Sequence, residues 1–209
     1  MHWIRLGGPV MWLILGTGLA GAIVFVERLF HLHRAQIHWQ DFLGGIFNVM
    51  KRRNVVEAVS LCEETPGPVA RLVRAALLHH DEDREVIRRA MVEAGTAEIP
   101  RLERRIGVLA VVTRIAPLLG LFGTVLGLIE ALLRMEERAP LVHSGDLSGA
   151  LWRALLCTAA GLMVAIPSFA AYNFLVGRVE SLLLDMEQAA GEVLAQLAQS
   201  RARGTGAAP

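Results

Sequence analysis

The stretch Ala154-Leu155-Leu156-Cys157-Thr158-Ala159-Ala160-Gly161-Leu162-Met163-Val164-Ala165-Ile166-Pro167-Ser168-Phe169-Ala170-Ala171-Tyr172-Asn173-Phe174-Leu175-Val176-Gly177 holds 24 residues without a charge, bounded by Arg153 and Arg178. About 20 apolar residues at about 1.5 Å each cross the roughly 30 Å hydrocarbon core of a bilayer, so this segment reads as a transmembrane helix. Two further runs flank it upstream. Residues 6–26 lie uncharged between Arg5 and Glu27, and residues 106–133 are interrupted only by Arg114 and Glu130. The first is too long for the apolar core of a signal peptide, about 7 to 15 residues, and the helical pattern continues past Glu27 and Arg28; it reads as an uncleaved anchor. In the second, fifteen uncharged residues separate Arg114 from Glu130. Both ionisable groups are expected towards the bilayer surfaces, where long stems snorkel, or against other protein.

The remaining composition excludes several function classes. The chain of 209 residues is 54% hydrophobic and 20% charged, and its 21 basic and 20 acidic residues nearly cancel to +1. No field of one sign steers nucleic acid. Cys62 and Cys157 fall in unlike surroundings and make neither a disulfide framework nor a zinc site. His31, His33, His38, His79 and His80 lack acidic or thiol partners at ligand spacing, so they are read as solvated surface, with no metal and no cofactor. Gly120 to Gly127 lacks the Lys-Ser/Thr ending of a phosphate loop, and no nucleophile stands beside a base.

The fold class that follows is an all-α integral membrane protein with three transmembrane helices and a helical cytoplasmic extension. Its expected divisions are a first span in residues 1–30, a helical cytoplasmic region in 31–105, a second span in 106–134, a short periplasmic loop and the start of the third helix in 135–152, a third span in 153–178, and a cytoplasmic helix and tail in 179–209. Basic residues set the orientation. Arg28, Arg34, Arg101, Arg104, Arg105 and Arg178 fall on one side, against Arg5, Arg134, Arg138 and Arg153 on the other; this puts the N-terminus outside and the C-terminus in the cytoplasm. Within 31–105, Gly44-Gly45 and Pro66-Gly67-Pro68 read as breaks. Asn54 is expected to cap a helix through Cys62, with Glu57 completing the pattern. From Asp81, apolar residues recur at helical spacing with no break before the second span, so one long helix is expected, with Pro100 as a candidate kink. Residues 200–209 read as a frayed tail.

Two stripes of small and mildly polar residues run along the second and third spans. One contains Thr113, Pro117, Gly120, Thr124, Gly127 and Ala131; the other contains Ala154, Thr158, Gly161, Ala165, Ser168 and Tyr172. Close helix packing is one reading, since small side chains let backbones approach in lipid and Gly123 with Gly127 forms a GxxxG pair. The other is that the stripes line a polar central space, since a threonine hydroxyl donates one hydrogen bond and accepts two without carrying charge. Pro117 and Pro167 each free a carbonyl, at Thr113 and Met163, for a neighbour, a water or a bend.

These residues also carry a resemblance. Residues 116–127, Ala-Pro-Leu-Leu-Gly-Leu-Phe-Gly-Thr-Val-Leu-Gly, and the third-span run Ala154 to Leu162 followed by Ala165-Ile166-Pro167 resemble the two signatures of the MotA/TolQ/ExbB proton-channel family. Glu27-Arg28-Leu29, Glu57-Ala58, Cys62 and Pro66-Gly67-Pro68 extend the likeness upstream. Three spans and this loop size resemble the ExbB/TolQ branch. The resemblance implies a pentameric ring in the bacterial inner membrane, with second and third spans surrounding the helices of an ExbD- or TolR-like single-span partner whose aspartate carries the proton. Work is then delivered to a TonB- or TolA-like protein. Thr124 and Thr158 match the pore threonines, while Pro117, Gly120, Gly123, Gly127, Gly161, Ala165 and Pro167 are the positions that the packing reading of the stripes assigns to close helix contact. Where relatives commonly have a glutamate five residues before the third-span threonine, this chain has Arg153. An arginine stays protonated and cannot exchange protons. It either pairs with an acidic group, Glu130 being one candidate, or snorkels at the interface with no transport role. Arg114 stands where relatives have an uncharged residue. Because an unpaired arginine at the bilayer centre costs about 2.5–3.5 kcal/mol, a cytoplasmic pore mouth or an interface is its expected place. A non-conducting scaffold of the same fold and a membrane enzyme remain as alternatives.

Overall fold

The structure, a computed structural model, describes residues 8–35, 38–52, 54–137 and 144–205. Arg5, Arg138, part of the loop expected in 135–152 and the last four residues of the expected tail lie outside the described residues. Among those described, regular structure is helical throughout: α1 (Gly8–Ala35), α2 (Trp39–Lys51), α3 (Val55–Glu64), α4 (Pro68–Leu78), α5 (Arg84–Glu103), α6 (Ile106–Glu137) and α7 (Ser144–Thr205). Three of them, α1, α6 and α7, contain segments long and apolar enough to cross a membrane. Contacts divide the chain into two units, residues 1–28 with 105–175 and residues 29–104 with 176–209. The first holds the apolar runs, the second the polar helices.

The apolar unit is built from α1, α6 and the first half of α7. Its interior is narrow. Ile14, Leu109, Ala116, Ala154 and Cys157 are buried, while Leu19, Leu118, Leu132, Met163 and Ile166 are exposed on the helix surfaces. Outward-facing leucine and isoleucine suit helices whose solvent is lipid, where association depends on close packing rather than on burying apolar area from water. The Arg105 guanidinium bonds the Glu27 carboxylate, tying the start of α6 to α1.

The polar unit has an ordinary side-chain core. α4 packs against α3 and α5, and α2 against α3. Leu43, Ile46, Val73, Ala76 and Leu77 are fully buried, joined by Ile87 and Met91 of α5 and by Leu182, Met186 and Val193 of α7. A Cβ placed on Gly95 would lie 3.6 Å from both Leu72 Cδ1 and Met186 Cε, which marks the meeting of α4, α5 and α7. The capping pattern holds: Asn54 Oδ1 accepts from the Glu57 backbone N–H at 3.3 Å, and Asn54 Nδ2 donates to Glu57 Oε2 at 2.7 Å. The Pro66-Gly67-Pro68 break also holds. Gly67 has φ 128°, open to glycine at little cost, and Pro68 occupies the first turn of α4, where its missing N–H is not needed.

Three expectations are corrected. Gly44-Gly45 does not break the chain: α2 runs through both. Leu43 and Ile46 on either side are fully buried, and that burial outweighs the cost of about 1 kcal/mol per helical glycine. The second span is not the continuation of one long helix from Asp81. α5 passes through Pro100 and ends at Glu103, with Arg104 at ψ 131° and Arg105 at φ 65° before α6 begins. Leu102 belongs to the polar core, whereas Arg105 and Ile106 belong to the apolar unit, and an arginine rather than a glycine takes the left-handed turn between them. The tail is helical as far as Thr205 instead of fraying from Ser200.

Candidate functional site

The site is formed where α6 crosses α7, and glycine makes the crossing possible. A Cβ on Gly161 would stand 2.6 Å from the Ala116 carbonyl oxygen and 2.9 Å from Gly120 Cα; one on Gly120 would stand 3.0 Å from the Cys157 carbonyl oxygen. On Gly123 it would meet Cys157 Cβ at 2.6 Å, and on Gly127 Ala154 Cβ at 2.8 Å. These distances leave no room for a methyl group, so the two backbones touch along most of the stripe. Gly120, Gly123, Gly127 and Gly161 therefore all lie in one close contact, as the packing reading expects. Ala116 and Ala165 are buried beside it, and Pro117 is half-buried.

That approach lets two side chains reach across. The Thr124 and Thr158 hydroxyls hydrogen-bond each other. Thr124 Oγ1 is 3.0 Å from the Gly120 carbonyl and 3.5 Å from that of Ala154, and Thr158 Oγ1 is 3.3 Å from the same Gly120 carbonyl. Two hydroxyl protons thus face three acceptor contacts on carbonyls and one on each other. More than one donor arrangement satisfies the set, because each hydroxyl can turn from carbonyl to hydroxyl. Both threonines are half-buried. The pair can pass a hydrogen bond from one helix to the other and still offer a lone pair outward, without a formal charge in the span.

Towards the ends of α6 and α7 stands an ion cluster. Glu130 Oε1 accepts from Arg134 Nη2, one turn along α6, and lies 3.6 Å from Arg153 Nη2. Arg153 Nε also donates to the Gly149 carbonyl at 3.3 Å. The structure thus brings Arg153 and Glu130 together, as one of the two sequence readings expects. Arg134, an i,i+4 neighbour of Glu130, was not singled out by sequence, although its spacing was the available signal.

Other candidates fall elsewhere. Pro167 is exposed and lines an apolar cavity of about 630 Å³ with Gly18, Gly21 and Phe25 of α1, Leu109 of α6, and Val164 and Phe174 of α7. It takes no part in the glycine contact. The α1 wall of this cavity was missed because a run of small apolar residues reads as span alone. Arg114 is exposed on α6 and has no hydrogen bond or ion pair among the described residues.

With this geometry in view, the comparisons with known proteins fall into place. Residues 64–188 match the model of the MotA/TolQ/ExbB proton channel family, a range that includes both threonines and the whole α6–α7 crossing. An ExbB homologue from Methanothermobacter thermautotrophicus, named for biopolymer transport, is 25% identical over 86% of this chain and 64% of its own length. The biopolymer transport protein ExbB of Aquifex aeolicus is 43% identical over 44% of this chain and 61% of its own. The Tol-Pal system protein TolQ of Haemophilus influenzae is 39% identical over 46% and 42% respectively. The match to each of these three thus spans less than two thirds of the relative's own length. The match of well over half the chain, with relatives on the ExbB and TolQ side, establishes that this chain is an ExbB/TolQ-like member of the MotA/TolQ/ExbB proton channel family.

Proposed function

We propose that the chain is the ring-forming subunit of a proton-driven motor in a bacterial inner membrane, converting proton flow into work on a periplasm-spanning protein for transport or envelope maintenance. Copies assemble as a ring, a pentamer by family likeness, with the N-terminus outside and the C-terminus in the cytoplasm. The ring encloses an ExbD- or TolR-like single-span partner and acts through it on a TonB- or TolA-like protein. Residues 1–30, 106–134 and 153–178 are the spans, and 31–105 with 179–209 the cytoplasmic part. The voltage alone supplies about 2.3 kcal/mol for each proton crossing 100 mV, so substantial mechanical work needs several protons per step.

The observation that carries this reading is the Thr124–Thr158 pair, two exchangeable hydroxyls held over one glycine carbonyl inside an apolar crossing. In this role the hydroxyls meet the partner's carboxylate in either protonation state, accepting from the acid and donating to its anion. The Arg134–Glu130–Arg153 cluster sets its carboxylate between two guanidinium groups at the mouth of the crossing.

A second reading, a non-conducting scaffold, draws on the same contacts. Both hydroxyls are satisfied within the chain, as purely structural threonines would be. Proton flux into liposomes separates the two. The native chain co-purified with its single-span partner is expected to conduct under an imposed gradient. Thr124→Ala with Thr158→Ala, and neutralisation of the partner's membrane acid, are each expected to abolish flux with the complex still assembled. An intact, activated native complex that passes no protons overturns the motor reading in favour of the scaffold.

A further inference from the structure

In the polar unit, the Glu98 carboxylate of α5 is buried, with its side chain only 5% exposed. Two arginines meet it. Arg101, one turn along α5, donates from Nη1 to Glu98 Oε1 at 2.8 Å, and Nη1 of Arg71, on α4, lies 3.1 Å from the same oxygen. A buried carboxylate is costly without an opposite charge beside it, and one guanidinium supplies that charge. The second is surplus, so the cluster is net positive whichever protonation state Glu98 takes.

Both guanidinium groups open outward from that oxygen, their side chains 49% and 65% exposed. Among the described residues each is engaged only through Nη1, which leaves the Nε and Nη2 hydrogens of both without a protein acceptor. Because one buried carboxylate holds both from beneath, two donor forks from two helices stand side by side and already fixed. Side chains ordered in this way lose less freedom when a ligand binds. Glu85 also meets two arginines, Arg88 and Arg89, but all three are exposed on one helix, where a hydrated carboxylate fixes neither.

The neighbouring acids are placed elsewhere. Glu63 is held by Arg74, at 2.7 Å, and Glu103 stands about 200° around α5 from Arg101. The chemistry that fits two converging forks is a phosphate group. Its tetrahedral oxygens accept from several directions at once, whereas the two coplanar oxygens of a carboxylate are served by a single arginine. Arg101 stands five residues before α6, the helix that carries the second span, so a membrane lipid is one source of the phosphate and a soluble phosphate is the other.

From this surplus charge, exposure and shared anchor we propose that Arg71 and Arg101 bind a phosphate group at the surface of the polar unit, with Glu98 as the positioning residue beneath them. The site stands on α4 and α5 alone and does not depend on proton conduction. The test uses the full chain purified in a maltoside detergent and phosphate-free buffer, with inorganic phosphate as the probe. Phosphate is expected to raise the unfolding temperature of the native protein above that in chloride of equal ionic strength, since a ligand of the folded state stabilises it. Arg71→Gln and Arg101→Gln each leave Glu98 one arginine, and each is expected to need at least tenfold more phosphate for half the rise. Arg71→Lys keeps the charge without the fork and is expected to need at least threefold more, which keeps the test available where a glutamine variant folds poorly. Glu98→Gln is expected to weaken phosphate binding although it removes a negative charge; tighter binding there overturns the positioning role. Arg88→Gln is expected to match the native protein. Phospholipid phosphorus per chain in the same preparations separates the sources. Phospholipid held by the native protein and lost from both glutamine variants supports the site with a lipid headgroup in it, and a phosphate-dependent rise with equal phospholipid supports it with a soluble phosphate. Equal phosphate dependence in native and variant proteins, or no rise and no difference in phospholipid, overturns the site and leaves the cluster as a brace between α4 and α5.

Discussion

The two units use glycine in opposite ways. In the apolar unit, a Cβ on Gly161 would meet the backbone of Ala116 at 2.6 Å; in the polar unit, Gly44, Gly45 and Gly191 have nothing within 4 Å of where a Cβ would stand. In lipid, helices gain no hydrophobic advantage from large interface side chains, so contact comes from backbones brought together by small residues. In water, Leu43, Ile46, Leu72 and Leu77 hold the polar helices by area buried, and Gly44, Gly45 and Gly191 are bystanders. The functional consequence is local. Only the backbone-close crossing lets Thr124 and Thr158 share one carbonyl.

Substitutions in each unit can break this contrast, and the largest effect is expected in the polar one. Leu77→Ala removes a fully buried side chain and should cost about 2–5 kcal/mol, read as a lowered unfolding midpoint of the purified protein. Gly161→Ala forces a methyl group into a backbone oxygen and should cost about 3 kcal/mol, the upper end of ordinary overpacking; its readout is loss of the folded protein in detergent. A silent Gly161→Ala would mean that the crossing is not close. Gly44→Ala is expected to reverse the sign, with a gain of up to about 1 kcal/mol, because a helical glycine with open space around it contributes only backbone freedom to the unfolded chain.

The smallest effect concerns Cys62 in the polar unit. Burial pushes its thiol from 9.0 up to about 11, partly opposed by Arg74. The folded protein therefore favours the neutral thiol. Below pH 9 both states are protonated and nothing is lost; as pH rises from about 9 to about 11 the unfolded chain ionises first and stability falls. At pH 8, maleimide labelling of Cys62 should be at least tenfold slower in the folded than in the unfolded chain, since the thiolate is the reacting form.

Charge placement made much of this legible in sequence. The uncharged runs located the three spans, the small-residue stripes located the α6–α7 contact, and the polar threonines within those stripes located the pair. Glu130 and Arg153 were identifiable as partners because one lies towards the C-terminal end of α6 and the other towards the N-terminal end of α7, on the same side of an antiparallel pair. What sequence lacked was tertiary register. Gly44-Gly45 looked like a break because the burial of Leu43 and Ile46 is a property of the packed unit, not of the local residues. The turn at Arg104 and Arg105 has no glycine or proline to announce it, and it follows from Leu102 and Arg105 belonging to different units.

The central claim is that the hydroxyls of Thr124 and Thr158 serve proton transfer and not packing alone. The most direct test compares Thr→Ser, which keeps the hydroxyl, with Thr→Val, which keeps the shape, at each position in the complex with its single-span partner. Proton flux in liposomes is expected to persist in the serine variants and to fall at least tenfold in the valine variants, with the complex equally assembled in all four. Valine variants that conduct at the native rate would contradict the account.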